Sequence, residues 1–398
     1  MNRHAKAQFA RPSFPAPVTR RLPLAICHLS MTTGYLACGG SALWRALSTQ
    51  QPLMQRARNA AAMLALAAVM LLAGCRTPSS AQALHRFEFQ HPAMGTLFTI
   101  TLYAPDAPRA EAAAHAAFKR VDALEDIMSD FQADSELMRL CDQPYGRPVP
   151  VSADLFNVLQ QSLKIAKLSD GAFDVTIGPC VRLWRFSRKR KTLPTPAEIA
   201  TAKAAVGWQK LRLDSRAHTV TLLAPNMRLD LGGIGKGYAA DQAMLILKGR
   251  GIDRALIAAS GDIAVGDPPP GQPGWKVGIA TLGTRTNQIA RTVLLHNAGI
   301  STSGDSEQFI EIGGVRYSHI LNPATGLGLT NRIQATIIGP NATATDSLDT
   351  TVSILGVKRG LALADALPGT AALILTRDDG QEQTFTSSRY KRLALPAN

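Results

Sequence analysis

The chain has few cysteines, five in 398 residues, and no C-x-x-C pair or His-rich box. That excludes zinc ribbons and thioredoxin-type redox motifs. Its net charge of +14 is set largely by the leading residues and is not read as a sign of nucleic acid. It shows no internal repeat, which excludes a repeat array. Its one strongly apolar run near the N-terminus, Ala60 to Leu72, is too short for an ordinary spanning helix.

That run does fit an export signal. Residues 54–75 read MQRARNAAAMLALAAVMLLAGC. Arg56 and Arg58 precede the apolar core, and Leu72-Ala73-Gly74-Cys75 closes it as a lipobox-like end whose cysteine could carry lipid. The other reading of this run is a buried alanine-rich helix. Residues 1–53 contain no acidic residue and no periodicity. They read as an extension ahead of a true start at Met54, or as disordered. Eight of the cations lie within residues 1–75, which leaves +6 for the remainder. RTPSSAQA then makes a polar tether over 76–84. A folded domain is expected over 85–398, as one large unit or two closely packed lobes. Cys141 and Cys180 could pair in an oxidising compartment, or remain as buried thiols, the preferred state.

Within the domain, HRFEFQHPAMGTLFTITLYA (85–104) alternates like two strands about Met94-Gly95. Helices are expected over 108–131, 152–171, 237–248 and 343–356. Hairpins are expected over 210–223, 254–266 and 371–385, with further strands between residues 274 and 339. DGAFDVTIGP (170–179) reads as a turn and strand. The pattern predicts an α+β fold of mixed, largely antiparallel sheets with flanking helices, not a regular doubly wound array.

Chemistry concentrates in a few stretches. LDLGGIGKGYAADQA (229–243) fails the Walker pattern, because Asp230 and Gly237 stand where a glycine and a hydroxyl belong. It fails the dinucleotide fingerprint because Tyr238 fills the third glycine position. What remains is a strand end, a glycine turn with Lys236, and a helix start. That suits an anion, or is a plain strand-turn-helix connection. Asp346, Asp349 and Thr350 fall at i, i+3 and i+4 on one helix face. Their hard oxygens suit Mg²⁺. Alternatively they are acids in a first turn that favour the helix dipole, and spacing alone favours that simpler reading. His319 ends a strand before an Asn-Pro turn, as an acid, base, anion donor or structural residue. Phe173 is a core aromatic unless a flat ligand must be sandwiched.

Taken in order, HPAMGT, SDFQADSELMRL, DGAFDVTIGP, LDLGGIGKGYAAD, SGDIAV, ISTSGD, YSHILNPATG and ATDSLDTTVSILG resemble the ApbE family of FAD:protein FMN transferases, over roughly residues 85–390. The resemblance implies a flavin cleft between two packed lobes. It implies Mg²⁺-dependent transfer of the FMN half of FAD to a Thr or Ser hydroxyl of a target protein, with release of AMP. Met94, Phe131, Ala172, Phe173, Asp174, Asp230, Lys236 and Ile320 match FAD-binding positions of the family. Gly233 by its carbonyl, Asp346, Asp349 and Thr350 match metal positions. His319 matches a histidine proposed to assist transfer; that residue or a nearby aspartate would take the hydroxyl proton. Ser306 after Asp305 departs from the family's frequent aromatic, and Ser260-Gly261-Asp262 replaces a commoner Gly-Gly-Asp. The implied partners are FAD, an acceptor with a D-x-x-S/T-G-A-S/T-like sequence, and a membrane reached through lipid on Cys75, on the bacterial periplasmic side. Nucleic acid is not expected. The competing readings are an Mg²⁺-dependent FAD pyrophosphatase and a flavin-holding lipoprotein without turnover.

Overall fold

The computed structural model describes residues 83–282, 289–304, 309–378 and 380–393. The expected extension, the signal ending at Cys75, nearly all of the tether and the Asp305-Ser306 departure lie outside them. Residues 81–398 form one compact unit.

Its frame is an eight-stranded antiparallel sheet. In chain order the strands are β1 (His85–Ala93), β2 (Thr96–Ala104), β6 (Ala255–Ala259), β7 (Asp262–Val265), β10 (Ala298–Gly304), β15 (Ile333–Gly339), β16 (Ala371–Asp378) and β17 (Gln381–Thr386), and they are neighbours in that same order. β1 and β2 pair His85 with Ala104 through Ala93 with Thr96 across the Met94-Gly95 turn, as the alternation predicts. β15 is buried at all seven positions because both faces of the sheet are covered. A hairpin of β8 (Trp275–Ala280) and β9 (Ile289–Leu295) packs Trp275, Val277 and Val293 on one face against Ile300, Ile338 and Leu373.

Three helices cover the other face: α1 (Ala107–Met128), α6 (Gly235–Lys248) and α7 (Ala342–Ala366). α1 is capped by Asp106, which accepts from the Arg109 N–H at 2.9 Å. It buries Ala110, Ala113, Ala114 and Ala117 at helical spacing. α6 buries Ala239, Ala240 and Ala243, so two small-residue faces can approach closely. α1 ends at Met128, three residues before the expected end, because Ser129 turns extended (ψ 130°).

The remaining described elements build a wall beside the sheet. It comprises α2 (Glu136–Cys141), α3 (Ala153–Leu168), α4 (Gly178–Arg190), α5 (Pro196–Ala204) and a small sheet of β3 (Val149–Pro150), β4 (Leu211–Asp214) and β5 (Thr219–Leu222). Two short hairpins complete it: β11 (Phe309–Ile312) with β12 (Val315–Ser318), and β13 (Leu321–Asn322) with β14 (Leu327–Gly328). The expected strand over 170–179 is corrected here. Asp170 and Gly171 take φ of 54° and 76°, Asp174 folds the chain back on Thr176, and α4 begins at Gly178 with Pro179 in its first turn. Only Ile177 makes a bridge there, to Arg228. Cys141 and Cys180 are buried free thiols, and burial pushes each up to about 11.

Candidate functional site

A cleft of about 300 Å³ opens between α4, the glycine turn, the β12–β13 connection and α7. Phe131, Ala172, Phe173, Asp174, Asp230, Gly233, His319, Ile320 and Thr350 all line it. Nine of the thirteen residues singled out in the sequence thus converge from five separate stretches. A larger cavity of about 470 Å³ lies elsewhere, lined by Arg109, Arg250 and Arg254 among others. It gathers none of these residues, so size alone does not mark the site.

The mouth is aromatic and basic. Phe131 is 79 % exposed, and the Arg185 guanidinium lies 4.0 Å from its ring centroid. Arg185 also pairs with Asp130 at 2.6 Å and reaches Asp230 at 3.6 Å. Asp230 accepts the Gly232 N–H at 2.8 Å. These contacts give the aspartate cationic and N–H partners beside an anion-type turn. Burial and the nearby Asp130 charge still hold its carboxyl above the ordinary range. Arg185 and Asp130 were missed in the sequence; the signal was the basic run at 182–191, with no acid near it in sequence.

Asp174 serves the fold. One of its oxygens accepts from the Thr176 N–H and hydroxyl at 2.8 and 2.7 Å, and the other from the Trp208 N–H at 2.8 Å. It borders the cleft with its carboxylate already committed. Phe173 is 5 % exposed, and Ile320 is 6 % exposed, so each offers only an edge to the cleft. Met94 does not line the cleft. It turns the chain with φ 52°, and its methyl end lies 3.5 Å from where a Cβ on Gly235 would stand. His319 follows β12, as expected, and lines the cleft beside Ile320.

Behind the cleft, α6 and α7 meet at their N-termini. The N–H of Gly237 donates to an Asp346 carboxylate oxygen at 2.8 Å. A Cβ on Gly237 would stand 2.2 Å from the Ala342 carbonyl oxygen, so only glycine fits this contact. Asp241, from α6, accepts from the N–H groups of Ala342 and Thr343 at 2.9 and 2.8 Å and caps α7 together with Asn341. The acids expected in the first turn of a helix lie deeper. α7 starts at Ala342 and has no acid in its first turn. The dipole reading of Asp346 and Asp349 therefore fails, and both are 2 % exposed.

These two aspartates form a buried acidic centre with Asp262 of β7, and Lys236 pairs with Asp262 within it. Burial would drive the Lys236 ammonium towards neutrality, but Asp346, Asp262 and Asp349 outweigh it and hold it charged. Burial first, then Asp262, pushes Asp346 up to about 7 against the pull of Lys236. The same causes, with Asp346 added, hold Asp349 well above the ordinary range. Three carboxylates share one ammonium, so the centre is short of positive charge. Thr350 donates to Asp349 at 3.2 Å, and a Cβ on Gly233 would stand 3.4 Å from the Thr350 hydroxyl. Carboxylate, hydroxyl and nearby backbone carbonyl are hard oxygen donors, and the uncompensated charge fits a hard divalent cation. Among the described residues no three His, Cys, Asp or Glu converge on one metal position. Such an ion would therefore rest on two carboxylates plus hydroxyl and carbonyl oxygen.

The ApbE family model matches residues 94–374. The chain is 33 % identical to the FAD:protein FMN transferase of Salmonella typhimurium over 336 residues, 82 % of this chain and 95 % of that protein. It is 32 % identical to the Treponema pallidum FAD:protein FMN transferase over 303 residues, 72 % of this chain and 83 % of that protein. Among solved structures, the flavin transferase ApbE of Vibrio cholerae superposes with a TM-score of 0.71 at 27 % identity, covering 78 % of this chain and 100 % of that one. The apo flavinyl transferase ApbE of Pseudomonas stutzeri gives 0.70 at 28 % identity, covering 78 % and 97 %.

Proposed function

The chain belongs to the ApbE family and is an FAD:protein FMN transferase, and from that premise we propose how its residues divide the reaction. FAD enters the cleft with its flavin end near Phe131, Phe173 and Ile320. Arg185 and Arg188 on α4 face the cleft and offset phosphate charge. The oxygen of an acceptor Thr or Ser hydroxyl bonds to the FMN phosphorus. The bond from that phosphorus to the bridging oxygen breaks, and AMP leaves with the electron pair. The hydroxyl proton passes to His319 or to one of the buried aspartates. Phosphoryl transfer asks mainly for positioning and charge neutralisation. Asp346, Asp349, Thr350 and the Gly233 carbonyl would hold Mg²⁺, which when bound neutralises pyrophosphate charge. Lys236 holds Asp262 and keeps part of the acidic charge in check.

The observation that carries this reading is the placement of the buried, charge-deficient Asp262–Asp346–Asp349 centre directly behind the cleft that Gly233 and Thr350 line. The test is to incubate the full chain with FAD, with and without Mg²⁺, and a carrier protein bearing a D-x-x-T-G-A-T sequence. Mass spectrometry should find covalent FMN on the carrier, and chromatography an equal amount of AMP, only with the metal. Free FMN alone would make the enzyme a pyrophosphatase, and unchanged FAD would make it a binding protein. Asp346→Ala should lower transfer at least about a thousandfold; full activity in that variant removes the metal assignment. The run ending at Cys75 supports a lipid-anchored enzyme on the periplasmic side of a bacterial membrane. Cys75→Ser should move the protein from the membrane to the soluble fraction of cells.

A further inference from the structure

We propose that the outward face of α4 is the docking surface for an acidic segment of the acceptor protein. The proposal rests on the transferase reading and adds the chemistry by which the protein substrate is recognised.

α4 presents two faces. Val181, Trp184, Arg185 and Arg188, at i, i+3, i+4 and i+7, form the wall of the cleft. Arg182, Phe186, Lys189 and Arg190 lie further round the helix and are exposed, Phe186 at 52 %. Lys191 follows, also exposed. Residues 182–191 hold six cations, and no Asp or Glu occurs between Gly178 and Ala197. The net charge of residues 76–398 is +6, so this single segment accounts for all of it and the rest of the domain is balanced. The first acid beyond it, Glu198, is taken up by the Thr195 capping box. Among the described residues, the side chains of Arg182, Lys189 and Lys191 make no hydrogen bond or ion pair, and Arg190 acts only at a distance on Glu198.

Fold stability explains only part of this. Cations in a last turn suit the helix dipole, which accounts for Arg188, Lys189 and Arg190. It does not account for Arg182 in the N-terminal half, or for an exposed phenylalanine set among unpaired cations. The placement does. An acceptor must bring its hydroxyl to the mouth where Arg185 lies over Phe131, and its flanking residues then cross the neighbouring face of α4. A surface with an excess of one charge and an aromatic at its centre fits an anionic peptide with an apolar side chain. An anionic lipid surface would satisfy the charge too, but it would not need the patch to border the cleft.

The experiment uses two acceptors on one carrier protein, with the same D-x-x-T-G-A-T core. One is preceded by four glutamates and the other by four glutamines. With the full chain, FAD and Mg²⁺, KM for the glutamate acceptor should be about tenfold lower than for the glutamine one. The gap should close between about 20 mM and about 300 mM salt. Arg182→Gln/Lys189→Gln/Arg190→Gln should raise KM for the glutamate acceptor about tenfold. It should leave the FAD dissociation constant and kcat unchanged. Lys119→Gln/Arg212→Gln/Lys276→Gln removes the same charge from exposed sites elsewhere and should leave the preference intact. Equal KM for the two acceptors in the unaltered enzyme overturns the proposal, even if the triple variant fails to fold. So does unchanged KM in the triple variant, including the case where that variant instead loses binding to anionic phosphatidylserine vesicles. If the unaltered enzyme modifies neither acceptor, the transferase reading fails first, and that result is distinct from equal KM values.

Discussion

At the scale of single residues, the glycine turn shows what a sequence carries and what it hides. Two glycines four positions apart do different work. Gly237 is a packing requirement, with the Ala342 carbonyl 2.2 Å and the Asp346 Cβ 2.8 Å from any added methyl. Gly233 meets only ordinary to tight contacts, 3.3 Å to Phe173 and 3.4 Å to Thr350. Gly237→Ala should therefore cost about 3 kcal/mol or more of stability, because backbone must move to admit the methyl. Gly233→Ala should cost less than about 1 kcal/mol yet weaken FAD binding, because its methyl would enter the cleft. Thermal melting and FAD titration of the two variants check this, and equal melting temperatures would refute it. The sequence showed glycines beside a lysine and two aspartates. It could not show that Lys236 answers to Asp262, which arrives on a separate strand, or that Asp174 commits its carboxylate to its own turn and to the Trp208 N–H.

At the scale of elements, α1 and α3 were legible from periodicity with a start signal, α6 from the glycine turn before it, and the first part of α7 from its cap. The expected end of α7 at residue 356 marks a real break, since Gly356 takes φ 73° before the helix resumes to Ala366. α4 was not legible. Its sequence, GPCVRLWRFSRKR, is short, carries five cations in thirteen residues, and buries only Gly178, Cys180, Trp184 and Ser187, so no continuous apolar stripe announces it. The helices are also held by charge that local patterns do not reveal. Arg120 of α1 donates to both oxygens of Asp154 of α3 at 2.9 and 2.5 Å and to Gln242 of α6 at 2.9 Å, and the Tyr238 hydroxyl donates to Asp154 at 2.9 Å. Partial burial pushes the Asp154 carboxyl up, but the Arg120 and Tyr238 hydrogen bonds prevail and hold it below its ordinary value of 3.8. The folded state thus prefers the ionised form. The stabilisation is complete above the unfolded value and is lost as pH falls through the lower folded one. Asp154→Asn should be less stable than the parent by about 1 kcal/mol at neutral pH, allowing for solvent screening of a partly exposed pair. That deficit should shrink below about pH 3.8. Denaturant unfolding at both pH values measures it, and a deficit that grows in acid would contradict the sign.

At the scale of the molecule, α+β class, antiparallel pairing and the convergence of distant stretches on one cleft were all legible, because strand alternation and ordered motifs are global signals. The sheet order was not, since pairing β7 with β10 and β2 with β6 depends on partners far apart in the chain. Residues 81–398 hold the whole sheet, both of its covering layers and every residue placed at the cleft. The interior strand β15 is covered on both faces from within this span, by α7 and by the β8–β9 hairpin. A fragment of residues 81–398 should therefore melt in one transition, at the temperature of the full chain to within a few degrees. It should transfer FMN to a soluble acceptor at the full chain's rate while losing any attachment to membranes, because the lipid candidate Cys75 is gone. Calorimetry and acceptor mass spectrometry on the two proteins decide the matter. Aggregation of the fragment, or two separate transitions within it, would mean that the leading residues contribute to the fold itself.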